Sequence, residues 1–258
     1  MARSAKSRAS GSSATRRRRI SRQFRTLATG LRTSCASCAI SRAAAESLSL
    51  WTSSAWRIPS RACLSSSAAP MAEGSVGAGT GATVAKLGGP ERAVKGGIGS
   101  AAITLATGHT VAAAVAVNAV GGIWDYANGQ VVAGPRRAGG GFDDSVAMLL
   151  NDESHGPAGP VNTTIGLVAT DARISKEDAN YLARLSHDGL AMVIRPCHTI
   201  RDGDTMFALA TGHKQSPADL TALGAAAVEA TAQAVLRAVR QATGLGGIPS
   251  ISELKASS

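Results

Sequence analysis

From Val111 to Val120 the chain is apolar at every position except Asn118. An unbroken Ala/Val run of this kind, without polar alternation, predicts a buried strand. Ile165–Ala169 reads as a second core strand and Thr205–Thr211 as a third, both bounded by polar or turn-forming residues. Elsewhere the pattern shifts to a helical period. Ser175 with Asp178 three residues on forms a capping box, opening a helix that runs to about His187. Ser216-Pro217-Ala218-Asp219 supplies a cap, a first-turn proline and a capping acid for a long helix ending near Gly244. Its Ala, Leu and Val positions repeat so as to bury one face. Gly74–Gly81 and Gly96–Gly99 read as glycine-rich turns, and Gly129–Pro160, with three prolines, as an exposed loop. Strands grouped with long helices predict stacked layers, an α/β layered fold.

Charge divides the chain in two. Residues 1–60 hold twelve Lys/Arg against the single acid Glu46, so the whole formal charge of +10 belongs to that segment and the remainder is close to neutral. The segment is Arg-, Ser- and Ala-rich, includes Arg16-Arg17-Arg18-Arg19, and lacks periodic apolar positions. It reads first as an extension that builds no core, in the limit a mis-started translation. An organelle-targeting peptide and a nucleic-acid-binding arm are the alternatives. With Phe24 its one aromatic before Trp51, it offers little to stack on bases, so nucleic acid is not an expected partner. The expected organisation is this head, 1–60, followed by one domain over 61–258.

Four cysteines in 258 residues do not make a disulfide framework. Cys35 and Cys38 lack a second ligand pair at zinc-binding spacing, so no metal is expected. Gly77, Gly79, Gly81 and Ala82 fit a dinucleotide-type glycine pattern, but neither a preceding strand nor a downstream acid accompanies them. No cofactor is expected. No apolar run reaches the ~18 residues that span a bilayer, so no membrane partner is expected and the cytoplasm is the expected location.

Asn162-Thr163-Thr164-Ile165 carries the most chemistry. If the Asn162–Thr163 bond is cut, Thr163 owns both a hydroxyl nucleophile and, on its own nitrogen, a general base. Read alone, the two threonines could equally begin a strand. Around them lie Ala72-Glu73-Gly74-Ser75-Val76-Gly77, Lys86, Lys95-Gly96-Gly97-Ile98-Gly99-Ser100, Val115-Ala116-Val117-Asn118, His187-Asp188-Gly189-Leu190, Arg195-Pro196-Cys197-His198-Thr199 and Asp202-Gly203-Asp204-Thr205. In this order, from about Arg61 to about Glu253, the phrases resemble the self-cleaving family of L-aminopeptidase/D-esterases, β-peptidyl aminopeptidases and nylon-oligomer endohydrolases.

The resemblance implies an αββα sandwich of the N-terminal-nucleophile-like type and autocleavage into 1–162 and 163–258. It further implies Thr163 as nucleophile, Asn118 and Lys86 at the oxyanion, and Asp202 and Asp204 orienting the amine and hydroxyl of Thr163. Lys95 is a less fitting lysine, and His187 and His198 read as structural. The implied partners are a small peptide or an amino-acid amide or ester as substrate, and further processed copies in a homo-oligomer. The family's longer leading segment, with its aromatic and Val/Pro-rich features, has no match in residues 1–60, so the sandwich is expected to be incomplete there. Two alternatives follow: an inactive remnant of the family, or an acyltransferase of the ornithine acetyltransferase type.

Overall fold

In the computed structural model, residues 71–153 and 162–256 are described. The basic head with Cys35 and Cys38 lies outside them, as does Cys63. A short antiparallel pair comes first, β1 (Thr83–Val84) with β2 (Val94–Lys95). Then come β3 (Gly97–Thr104), β4 (Thr110–Val117), β5 (Gly122–Asp125), β6 (Gln130–Ala133) and α1 (Ser145–Leu150). The second half holds β7 (Ile165–Ala172), α2 (Lys176–Val193), β8 (Ile194–Arg195), β9 (Thr205–Lys214), α3 (Leu220–Arg240) and α4 (Ile251–Ala256).

The main sheet has the order β3-β4-β7-β9. Its first two pairings are antiparallel, and β7 and β9 run parallel with α2 in the connection between them. A smaller sheet, β6-β5-β8, packs against α2 and α3. This is the expected α/β layering: α2 and α3 lie together over the main sheet, α3 on β3 and β4 and α2 on β9. Alternation along β4 decides what goes where. Val111, Ala113, Val115 and Val117 share the main core with Leu223, Ala227, Ala230 and Ala234 of α3. Burying each of those valines fully is worth about 1.5–3 kcal/mol over leaving it exposed. Ala114, pointing to the opposite face, meets Leu167, with Met71, Ile165 and Leu209 packed around them.

The structure corrects several sequence expectations. Gly96–Gly99 is no turn: Gly97 and Gly99 open β3, and a Cβ on Gly99 would lie 2.2 Å from the Ala234 carbonyl oxygen. The missing side chain lets α3 rest directly on the sheet. The capping box of Ser175 and Asp178 forms as expected, but α2 continues past His187 to Val193 because Leu190 and Val193 are fully buried. The cap of α3 is Asp219, whose carboxylate accepts from the Thr221 amide at 2.9 Å. Ser216 instead meets His109 Nε2 at 3.2 Å through both its carbonyl and its hydroxyl. Within Gly129–Pro160, taken as a loop, lie β6 and α1; Asp144 caps α1, and Arg92 and Arg137 clasp Asp143.

By length and composition α3 could cross a membrane, but most of it is buried inside the protein, as a core helix is. Glu73, from the first of the resemblance blocks, has a structural task. Its carboxylate accepts from the backbone and hydroxyl of Ser100 at 2.8 Å each and pairs with Arg237, tying the segment before β1 to β3 and α3.

Candidate active site

Because β4 and β7 are antiparallel while β7 and β9 are parallel, the end of β4 and the starts of β7 and β9 meet at one edge of the main sheet. Asn118 follows β4, Asn162–Thr164 precede β7, and Asp202–Asp204 precede β9. Asn118 therefore lies one residue past the strand rather than inside it, and it is only half-buried. Lys86 reaches the same place from the segment after β1, whose amides at Ala85 and Lys86 bond the carbonyls of Gly121 and Val120. Ala85 takes a left-handed φ of 60° just before it, a conformation that non-glycine residues seldom adopt.

Lys86, almost wholly buried, donates to Asn118 Oδ1 and to Asn162 Oδ1, both at 2.6 Å. Thr83 N–H also donates to Asn118 Oδ1, at 3.2 Å. Lysine and amide N–H groups can only donate here, so the oxygen of each Asn side chain must face them, and Nδ2 of Asn118 is the end left to donate. Burial lowers the Lys86 pKa to about 8, and the charge of Asp202 opposes part of that fall. Lys95 is also buried, but it donates to the Thr80 carbonyl at 2.7 Å rather than to either asparagine.

The Asn162–Thr163 peptide is held on both sides. Thr163 Oγ1 donates to the Asn162 carbonyl oxygen at 2.6 Å, and Gly203 N–H donates to the same oxygen at 2.8 Å. Thr163 N–H donates to the Asn118 carbonyl at 2.9 Å. Asn162 is itself buried, and its Nδ2 donates to the Arg201 carbonyl at 3.2 Å. A hydroxyl and a backbone amide thus converge on one carbonyl oxygen, the arrangement of donors that stabilises an oxyanion. The approach at Gly203 requires glycine, since a Cβ there would fall 2.9 Å from Thr163 Oγ1.

The two acids, two residues apart, do not act as a pair on Thr163. Asp204 Oδ1 accepts from the Thr164 amide at 2.8 Å, and its Oδ2 meets His198 Nδ1 at 3.0 Å. Asp202 accepts from the Val120 amide at 3.1 Å and the Thr199 hydroxyl at 2.6 Å. Burial pushes the Asp202 carboxyl up, against hydrogen bonds that pull it down. Neither carboxylate bonds the Thr163 hydroxyl; each braces a backbone segment beside it. His198 and His187 meet each other, Nε2 to Nδ1, at 3.3 Å. So Lys86, Asn118, Asn162, Thr163, Asp202 and Asp204 converge, as the resemblance implies. The Gly203 amide went unnoticed in the sequence, where only the glycine between two acids hinted at a close approach.

Residues 46–250 match Peptidase family S58, and the chain belongs to that family. An uncharacterized aminopeptidase of Mycobacterium leprae (strain TN) is 40% identical over 203 residues, 70% of this chain and 52% of that protein. A 6-aminohexanoate-oligomer endohydrolase of Kocuria sp. (strain KY2) is 35% identical over 147 residues, 50% of this chain and 41% of the relative. Among solved structures, a β-aminopeptidase of Burkholderia sp. superposes with a TM-score of 0.48 at 26% identity, over 73% of this chain and 54% of its own. The chain spans about half the length of the relatives it matches.

Proposed function

We propose that the chain is a self-processing N-terminal-nucleophile hydrolase of the aminopeptidase/amidase kind, acting on a peptide-like amide through Thr163. The observation that carries this reading is the Asn162 carbonyl, which receives the Thr163 hydroxyl and the Gly203 amide together. In the precursor, Thr163 Oγ1 bonds to the Asn162 carbonyl carbon and the C–N bond breaks. The hydroxyl proton ends on the freed nitrogen, leaving an ester. Water then hydrolyses the ester to the Asn162 carboxylate and regenerates the hydroxyl beside a free α-amine.

That amine, with an unperturbed pKa of roughly 7.7–8.0, is partly neutral near neutral pH and serves as the base for later substrates. Asn118 Nδ2 donates to the substrate oxyanion and the Lys86 charge stabilises it. Asp202 and Asp204 act as positioning residues that fix the segments carrying Gly203 and Thr164. The relatives' names, aminopeptidase and oligomer endohydrolase, support amide chemistry. The substrate class is a short peptide or an amino-acid amide or ester.

Intact mass under denaturing conditions tests the reading. Fragments 1–162 and 163–258 are expected, and Thr163→Ala is expected to stay whole. A folded wild-type protein that remains one chain would sink it. That result would favour the inactive-remnant reading.

A further inference from the structure

Beside the nucleophile, on the side of Asp204 turned away from Thr164, lies a group of ligand atoms for which neither autocleavage nor amide hydrolysis has a use. Cys197 Sγ, His198 Nδ1 and Asp204 Oδ2 all lie within 4.8 Å of one another. The Sγ to Oδ2 separation is 3.6 Å, and Nδ1 to Oδ2 is 3.0 Å. Tetrahedral zinc, with bonds of about 2.0–2.3 Å to N, O and S donors, needs its ligand atoms roughly 3.3–3.6 Å apart. The two separations to Asp204 Oδ2 are thus near the required spacing, while the thiol and the imidazole, within 4.8 Å of each other, would draw together on binding.

The surroundings resemble a ligand shell rather than a chance surface contact. The Asp204 side chain is almost wholly buried, while the His198 ring opens to solvent and so leaves an entry path. His198 takes a left-handed φ of 55°, a conformation that non-glycine residues seldom adopt. The other ring nitrogen of His198 meets His187 Nδ1 at 3.3 Å. An outer partner of this kind fixes the tautomer and orientation of a metal-bound histidine.

We propose that Cys197, His198 and Asp204 form a binding site for a divalent cation of the zinc class, with His187 orienting His198 and solvent filling the fourth position. A thiol, an imidazole and one carboxylate select a borderline-soft ion over magnesium or calcium, which prefer oxygen ligands throughout. Binding converts the Cys197 thiol to thiolate and sends its proton to solvent, so affinity rises with pH. Burial and the neighbouring carboxylates push that thiol well above its usual range, so without the ion it is protonated. Asp204 joins the two sites: its Oδ1 holds the Thr164 amide while its Oδ2 takes the ion.

Cobalt(II) serves as the probe, because a thiolate ligand gives an intense charge-transfer band and a tetrahedral site gives strong visible bands. The reduced full-length chain is titrated beside its Cys197→Ser variant, and the difference cancels any contribution from Cys35, Cys38 and Cys63. One equivalent of thiolate-bound, tetrahedral cobalt is expected in the difference spectrum, and excess zinc is expected to displace it. His187→Ala is expected to weaken the affinity by about 10–100-fold, the range for losing an outer partner. Thermal melts confirm that each variant folds; if Cys197→Ser does not, His198→Gln, which keeps the thiol, replaces it in the comparison. Identical spectra for the wild type and the folded variant, or octahedral bands without charge transfer, overturn the site. The readout is the same in cut and uncut chains, so failure here is distinct from failure of the hydrolase reading.

Discussion

Lys86 touches both sides of the proposed chemistry, because its ammonium group bridges Asn118, which follows β4, and Asn162, which precedes the bond proposed to be cut. With its pKa lowered to about 8, it loses its charge within an ordinary assay range. If that charge stabilises the oxyanion, turnover of the processed enzyme on an amino-acid p-nitroanilide falls as pH rises through about 8. Lys86→Arg keeps its charge and should lose this alkaline limb while turning over more slowly. An unchanged limb in Lys86→Arg would assign the titration to another group. The shift also has a stability sign. Between about 8 and the usual lysine value of 10.5, the unfolded chain holds a proton that the folded one does not, so this residue makes stability rise with pH there. The converging residues lie far apart in sequence, and no spacing rule links Lys86 to Asn118 or to Asp202. They were legible only through family resemblance, whereas the bond directions were not, because a carboxylate two residues from another can turn to a different partner.

Among the elements, strands were easier to read than the joints between them. The unbroken Ala/Val run became β4 because two-sided burial leaves no alternation, and the capping box fixed the start of α2 because its bonds are local. Gly96–Gly99 misled, since a glycine needed for close helix–sheet contact looks in sequence like one needed for a turn. This contact makes a prediction. Gly99→Ala should lower stability by about 1–3 kcal/mol through overpacking, measured by urea unfolding. Gly81→Ala, whose Cβ would meet nothing within 4 Å, should change it far less. Equal effects at the two positions would mean that α3 does not lie as close to β3 as these atoms indicate.

At the scale of the whole molecule, the family match begins at residue 46, inside the basic segment that composition sets apart. Removing residues 1–45 should leave the thermal transition nearly unchanged and abolish most retention on DNA at low salt, since eleven of the twelve basic residues up to Ser60 go with it. Extending the deletion to residue 60 should also leave the transition in place. A drop confined to the longer deletion would move the domain boundary to the start of the family match.

The main sheet also decides what a cut would do. The bond between Asn162 and Thr163 separates β4 from β7, yet these strands pair over six consecutive positions, from Val111 opposite Thr170 to Ala116 opposite Ile165. A nicked protein would therefore keep its native size and sediment as a single particle, with two polypeptides sharing one core. Its recovery from denaturant would become a bimolecular encounter. Dilution should slow the return of the nicked form in proportion to concentration, while leaving that of the Thr163→Ala chain untouched.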